Sequence, residues 1–142
     1  MRKSIFYSQN FLINKQLIIK LINNSSITEK DIVYEIGAGT GVITDELIKK
    51  CQKVVAFELD SNLYQKLNSK YKNEGRIKLF NKNFLDCPLL NGIYKVFSNI
   101  PFNITSDIIK KLTLSDNPPV DSYLVVQKEA AYKFIGKPYL KS

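Results

Sequence analysis

The chain of 142 residues is 44% hydrophobic and 24% charged, with 21 basic against 13 acidic side chains and a formal charge of +8. This is the profile of one soluble globular domain, long enough to bury a core without disulfide staples. It holds no histidine, which excludes His-based acid–base chemistry, Ser-His triads and most zinc sites.

The N-terminal stretch MRKSIFYSQNFLINK has no apolar run of secretory-signal length, and no segment is long enough to span a membrane. Leu17, Ile18, Leu21 and Ile22 then share one helical face. DIVYEIG, from Asp31, reads as a short buried strand ending at a glycine turn, and Val42, Ile43, Leu47 and Ile48 mark a helix after it. KVVAFELD is a second strand, followed by a helix through Leu63, Leu67 and Tyr71. RIKLFN and YKVFSN are the third and fourth strands. Ile104, Ile108, Ile109 and Leu112 predict a further helix, Asn117-Pro118-Pro119 a loop, SYLVVQ a fifth strand, and Ala130, Ala131, Phe134 and Ile135 a last helix.

Short apolar strands alternating with amphipathic helices predict an α/β fold of the doubly wound kind, a mostly parallel sheet with helices on both faces. In such sheets ligands bind beyond the carboxyl ends of the strands. The unusual residues of this chain fall at those ends. Cys51 and Cys87 have neither metal-ligand spacing nor a scaffold pattern, so they read as reduced thiols of a cytoplasmic protein, and no metal is expected. Basic residues are scattered, with pairs such as Lys49-Lys50 and Lys110-Lys111. A Lys-rich solvated surface and a polyanionic partner such as nucleic acid both account for that charge.

EIGAGTG, residues 35–41, follows the first predicted strand and opens a helix. Glycines at 37, 39 and 41 allow a sharp turn and a close approach of backbone to a ligand, although glycine-rich turns also have purely structural uses. The spacing fits neither the G-x-G-x-x-G dinucleotide fingerprint nor a P-loop. Glu58 ends the second strand, 21 residues after Gly37. A carboxylate there can accept two hydrogen bonds from a ribose diol. Its plain alternative is an acidic helix start, a task that Asp60 already fills as a cap. Together the turn and Glu58 favour S-adenosyl-L-methionine over NAD as the ligand.

At the end of the fourth predicted strand stands Asn99-Ile100-Pro101-Phe102. An exocyclic adenine amine is a poor nucleophile because its lone pair is delocalised into the ring. A methyl transferase must draw that pair into line with a sulfonium methyl. Two acceptors suffice, the side-chain oxygen of Asn99 and the backbone carbonyl of Ile100. Pro101 would hold the bend, and Phe102 would offer a face on which a flipped-out base stacks. Singly, each residue has an ordinary use as turn cap, strand stop or core. The tetrad at that corner, in a sheet with a glycine turn after its first strand, is a more specific pattern.

With SQNFL at 8–12, EIGAGTG at 35–41, FELD at 57–60, SNIPFNITSDII at 98–109 and VVQKEAA at 125–131, the chain resembles the ribosomal RNA adenine N6-methyltransferases. That family comprises the macrolide-resistance (Erm) methylases and the housekeeping KsgA/Dim1 dimethyladenosine transferases. The resemblance spans essentially all of residues 1–142. It implies that Asn10 and the backbone at Leu12 touch the methionine end of the cofactor, that Gly37 and Gly39 lie against it, and that Glu58 holds the ribose. It also sets Asn99 between cofactor and target amine. Where the family usually carries Asp at the end of the third strand, this chain has Asn83, whose amide oxygen can still accept a hydrogen bond from the cofactor's adenine amine, though without charge.

Family members run on into further strands and a small helical RNA-contacting domain. Residues 1–142 are therefore expected to be an incomplete S-adenosylmethionine-binding catalytic domain without that helical part, better at binding cofactor than at methylating RNA alone. A full-length monomer is expected. A sheet ending at the fifth predicted strand would leave an unpaired edge that invites self-association. The Ile after Asn99, the Phe at 102 and the proline-free glycine turn lean toward the Erm side, hence toward adenine methylation in 23S rather than 16S ribosomal RNA and macrolide-lincosamide-streptogramin resistance. Housekeeping rRNA dimethylation is the alternative. A non-catalytic cofactor- or RNA-binding module of the same fold is a second alternative. Methylation of DNA adenine or a glutamine amide fits poorly with the single proline and SQNFL.

Overall fold

The computed structural model of the chain describes residues 3–9, 14–89, 91–100 and 104–127, with backbone alone at 3–9 and 127. Strands β1 (Lys3–Gln9), β2 (Ile32–Ile36), β3 (Lys53–Phe57), β4 (Ile77–Phe80), β5 (Lys95–Asn99) and β6 (Asp121–Gln127) alternate with helices α1 (Lys15–Asn23), α2 (Val42–Ile48), α3 (Ser61–Lys70) and α4 (Thr105–Leu114). A 3₁₀ turn at Phe84–Asp86 follows β4. All the strand pairings are parallel, in the order β1-β6-β5-β2-β3-β4. The α/β fold read from the sequence is the fold observed.

The near-continuous apolar strands reflect burial on both faces. On one face Val33, Val54, Ala56, Phe97 and Tyr123 pack with Ile18, Leu21 and Ile22 of α1, Ile43 and Leu47 of α2, and Leu67 of α3. Their neighbours Tyr34, Val55, Phe57, Val96 and Leu124 face the other way, onto Ile108 and Leu112 of α4 and Phe84 of the 3₁₀ turn. This period-two division puts three helices on one side and one on the other. The strand starts are pinned by Lys95, whose ammonium donates to Asp31 Oδ2 at 2.8 Å and to the Ser26 carbonyl at 2.7 Å.

The N-terminal strand was not legible in the sequence and corrects one expectation. The fifth predicted strand, SYLVVQ at 122–127, lies within β6 and is not an open edge: β1 pairs along its whole length, from Lys3↔Asp121 to Gln9↔Gln127. Among the described residues, the sheet edges are β1 and β4 instead. A strand from the start of the chain closes the side that local pattern left bare. The predicted helix through Ala130 and Ile135 lies outside the described residues. Among the described residues, no helix is long and apolar enough to cross a membrane.

Candidate functional site

The strand order reverses between β2 and β5. From β2 the chain winds outward through β3 to β4, then returns to β5 and winds the other way to β6. The carboxyl ends of β2 and β5 therefore flank the crevice where doubly wound sheets take their ligands. Gly37 follows the first of these strands, and Asn99 ends the second.

The glycine turn is held from β3. The amides of Gly37 and Ala38 donate to the Phe57 carbonyl at 2.8 and 3.1 Å. Gly37, Gly39 and Gly41 have φ of 76°, 61° and 91°, a region costly for any side chain with a Cβ. A Cβ built at Gly39 would meet nothing within 4 Å, so the turn borders open space, as a ligand cradle must. At Gly41 a Cβ would come within 2.4 Å of the Tyr71 hydroxyl.

Glu58 sits just beyond β3 and is 8% exposed. Its Oε1 accepts the Gly39 amide at 2.8 Å and its Oε2 the Asp60 amide at 2.9 Å. One carboxylate thus latches the glycine turn to the start of α3, and each oxygen keeps acceptor capacity for a ligand. Asp60 is the cap expected of it, accepting the Leu63 amide at 3.0 Å. Two neighbours escaped the sequence reading. Asn81 Nδ2 donates to the carbonyls of Glu58 and Leu59 at 2.9 and 3.2 Å, tying the end of β3 to the end of β4. Leu59 stands 63% exposed beside Glu58, an apolar side chain left out of the core. An Asn at a strand end and an apolar residue between two acids were the available signals.

Asn83 caps the 3₁₀ turn, its Oδ1 accepting the Leu85 amide at 3.0 Å. The same turn is gripped from α4. The Lys111 ammonium donates to the carbonyls of Phe84 and Cys87 and lies 4.5 Å from the Phe84 ring centroid. Burial holds its pKa below the ordinary 10.5.

Asn99 is half-buried, neither sealed in the core nor out in solvent. The Ile100 amide donates to the Val125 carbonyl at 2.8 Å, anchoring the corner to β6 while its side chain is buried. Glu35, fully buried behind the glycine turn, accepts the Thr44 hydroxyl of α2. Burial raises its pKa from the ordinary 4.5 to about 8, against the lowering effect of Thr44 and with smaller raising contributions from Asp45 and Glu58. The structure thus joins the glycine turn to Glu58 through the Gly39 amide, sets Asn83 at the start of the 3₁₀ turn after β4, and puts Asn99 with Ile100 at the carboxyl end of β5. Asn10, Leu12, Pro101 and Phe102 lie outside the described residues. No group of His, Cys, Asp or Glu suited to a metal occurs among those described.

A family model described as ribosomal RNA adenine dimethylase matches residues 1–142. The chain belongs to that family. Among dimethylase-family relatives, it is 37% identical over 134 residues to an rRNA adenine N-6-methyltransferase from Escherichia coli, covering 94% of this chain and 54% of the relative. It is 35% identical over 143 residues to ribosomal RNA small subunit methyltransferase A of Caldanaerobacter subterraneus subsp. tengcongensis, covering 95% and 53%. Its fold superposes on the crystal structure of the 23S rRNA methyltransferase ErmE with a TM-score of 0.78 at 27% identity, covering 89% of this chain and 52% of that one. The chain spans about half the length of the curated relatives it matches.

Proposed function

We propose that the protein transfers a methyl group from S-adenosylmethionine to the N6 amine of an adenine in ribosomal RNA. The observation that carries this reading is the crevice at the sheet's reversal point, with the glycine turn latched to Glu58 on one side and the Asn99–Ile100 corner on the other. The open space at Gly39 and the acceptor capacity left on Glu58 fit a nucleoside with a charged tail. When bound, S-adenosylmethionine supplies an electrophilic methyl carbon. Gly37 and Gly39 would border its amino-acid portion, Glu58 would accept from the ribose hydroxyls, and the exposed Leu59 would offer an apolar face to the base. Asn83, already spending one acceptor position on Leu85, would accept from the amine of that base. Asn10 and the backbone at Leu12 would complete the methionine end, as the family resemblance implies.

The chemistry asked of the protein is positional. Asn99 Oδ1 and the Ile100 carbonyl each accept one N–H of the target amine, which turns the nitrogen lone pair toward the methyl carbon. Pro101 would hold the bend and Phe102 would offer a face on which the extruded base stacks. No strong base would be required: as the new N–C bond forms the S–C bond breaks and S-adenosylhomocysteine leaves, and the amine proton, now acidic, would pass to solvent water. In this reading residues 1–142 are the cofactor-binding catalytic domain.

We favour 23S ribosomal RNA, with resistance to macrolide-type antibiotics, on the Ile100, Phe102 and proline-free glycine-turn signature. The second reading, 16S methylation in ribosome assembly, is favoured by the 35% identity to a small-subunit methyltransferase. Calorimetry with S-adenosylhomocysteine tests the pocket, and absence of binding at millimolar ligand would overturn the assignment. Methylation of purified 23S against 16S RNA, mapped by primer extension, separates the two branches. Asn99→Ala should lower transfer by about 10²-fold or more with the circular dichroism spectrum unchanged. Undiminished transfer would remove Asn99 from its role.

A further inference from the structure

β2 and β5 part before either strand ends. Their register runs only through Val33↔Lys95 and Tyr34↔Val96. On their outer sides both strands stay paired further, β2 with β3 to Ile36↔Phe57 and β5 with β6 to Asn99↔Val125. A ladder that stops inside a core leaves backbone donors that must find another acceptor. At this split the acceptor is a side chain: the Ile36 amide donates to Ser98 Oγ at 2.5 Å. Ser98 has no exposed surface.

A hydroxyl has thus replaced a backbone carbonyl at the seam where the two halves of the sheet diverge. It satisfies the amide while holding the strands apart by a side chain's reach, where direct pairing would draw them together. The two ends of this bond each adjoin a functional element, since Gly37 follows Ile36 and Asn99 follows Ser98. We propose that Ser98 is a positioning residue, a strut that sets the opening between the glycine turn and the Asn99 corner. This inference rests on the reading of that crevice as the transfer site. Ser98 touches neither reacting partner. It acts through Ile36 and Asn99 on the distance between them, and misplacement of reacting groups by about 1 Å can cost about 10²-fold in rate.

A serine that merely satisfies a buried amide would affect stability and leave turnover per folded molecule unchanged. A strut separates the two readouts. Ser98→Ala removes the acceptor with little change in volume, and Ser98→Thr keeps the hydroxyl. In the intact protein, Ser98→Ala should speed amide exchange at Ile36 and hold the S-adenosylhomocysteine Kd within about threefold. It should also lower kcat for ribosomal RNA methylation by about tenfold or more. Ser98→Thr should restore most of kcat. If threonine's extra methyl is not accommodated, the kcat-against-Kd split in Ser98→Ala decides alone. A Ser98→Ala protein with unchanged kcat, or one whose kcat and Kd worsen in proportion, would overturn the strut while wild-type binding and transfer upheld the crevice. A wild-type protein that binds no S-adenosylhomocysteine would overturn both.

Discussion

Glu35, on β2, and Glu58, just beyond the neighbouring β3, have opposite assignments. Glu58 keeps both oxygens on backbone amides at the rim, whereas Glu35 is sunk behind the glycine turn with the Thr44 hydroxyl on its carboxyl. Because burial raises the Glu35 pKa from 4.5 to about 8, the folded chain binds more protons there than the unfolded chain between those values. Stability from this group is full below pH 4.5 and declines as pH rises toward about 8. Glu35→Gln keeps an oxygen for Thr44 and cannot ionise. Its stability relative to wild type should therefore climb across that window, by at most about 1.4 kcal/mol per pH unit, in urea unfolding at several pH values. At Gly41 the φ of 91° and the Tyr71 hydroxyl, 2.4 Å from a built Cβ, act together. Gly41→Ala should cost about 2 kcal/mol or more in the same assay. Adding Tyr71→Phe should recover little, since the backbone strain remains and the hydroxyl's bonds to Asp45 Oδ1 and the Gly41 carbonyl are lost.

Among the elements, the 3₁₀ turn after β4 depends on a partner from another helix. Its three residues cannot hold a shape alone, and Asn83 at its start and Lys111 from α4 supply the restraint. α4 follows the Asn99 corner in sequence, so Lys111 ties the turn that carries Asn83 to the helix after that corner. Lys111→Met removes a charge-assisted donor from two carbonyls and a cation from the Phe84 ring. It should lower stability by about 1–2 kcal/mol. The same variant should gain less thermal stabilisation from saturating S-adenosylhomocysteine than wild type does, because the turn carrying Asn83 is no longer preset. Equal ligand-induced shifts in Tm would confine Lys111 to the fold.

At the scale of the whole molecule, a formal charge of +8 spread over 142 residues suits a partner recognised first by its phosphates. If ribosomal RNA is the substrate, its affinity should fall steeply with salt, by about 10²-fold or more between low and physiological ionic strength for several phosphate contacts. S-Adenosylhomocysteine, which carries no net charge, should bind with a Kd almost independent of salt. Filter binding and calorimetry over one salt series test both halves. A salt-insensitive RNA affinity would assign the lysines to solvation alone.

Much of this protein was written in local sequence. The five strands from Ile32 onward, the helices between them, the glycine turn and the Asn99 corner all follow from short-range patterns: an apolar run, a 3.6-residue period, a Gly that tolerates positive φ, a Pro that stops a ladder. Such signals are legible because the residues that carry them lie within a few positions of one another. Long-range pairing decided the rest. The strand at Lys3–Gln9 exists by lying along residues more than a hundred positions away, and so closes an edge that no local pattern could close. Glu58 became a latch, Lys111 a clamp and Ser98 a bridge across the split ladder only once separate elements met. A hydrogen bond between distant residues leaves no period to read.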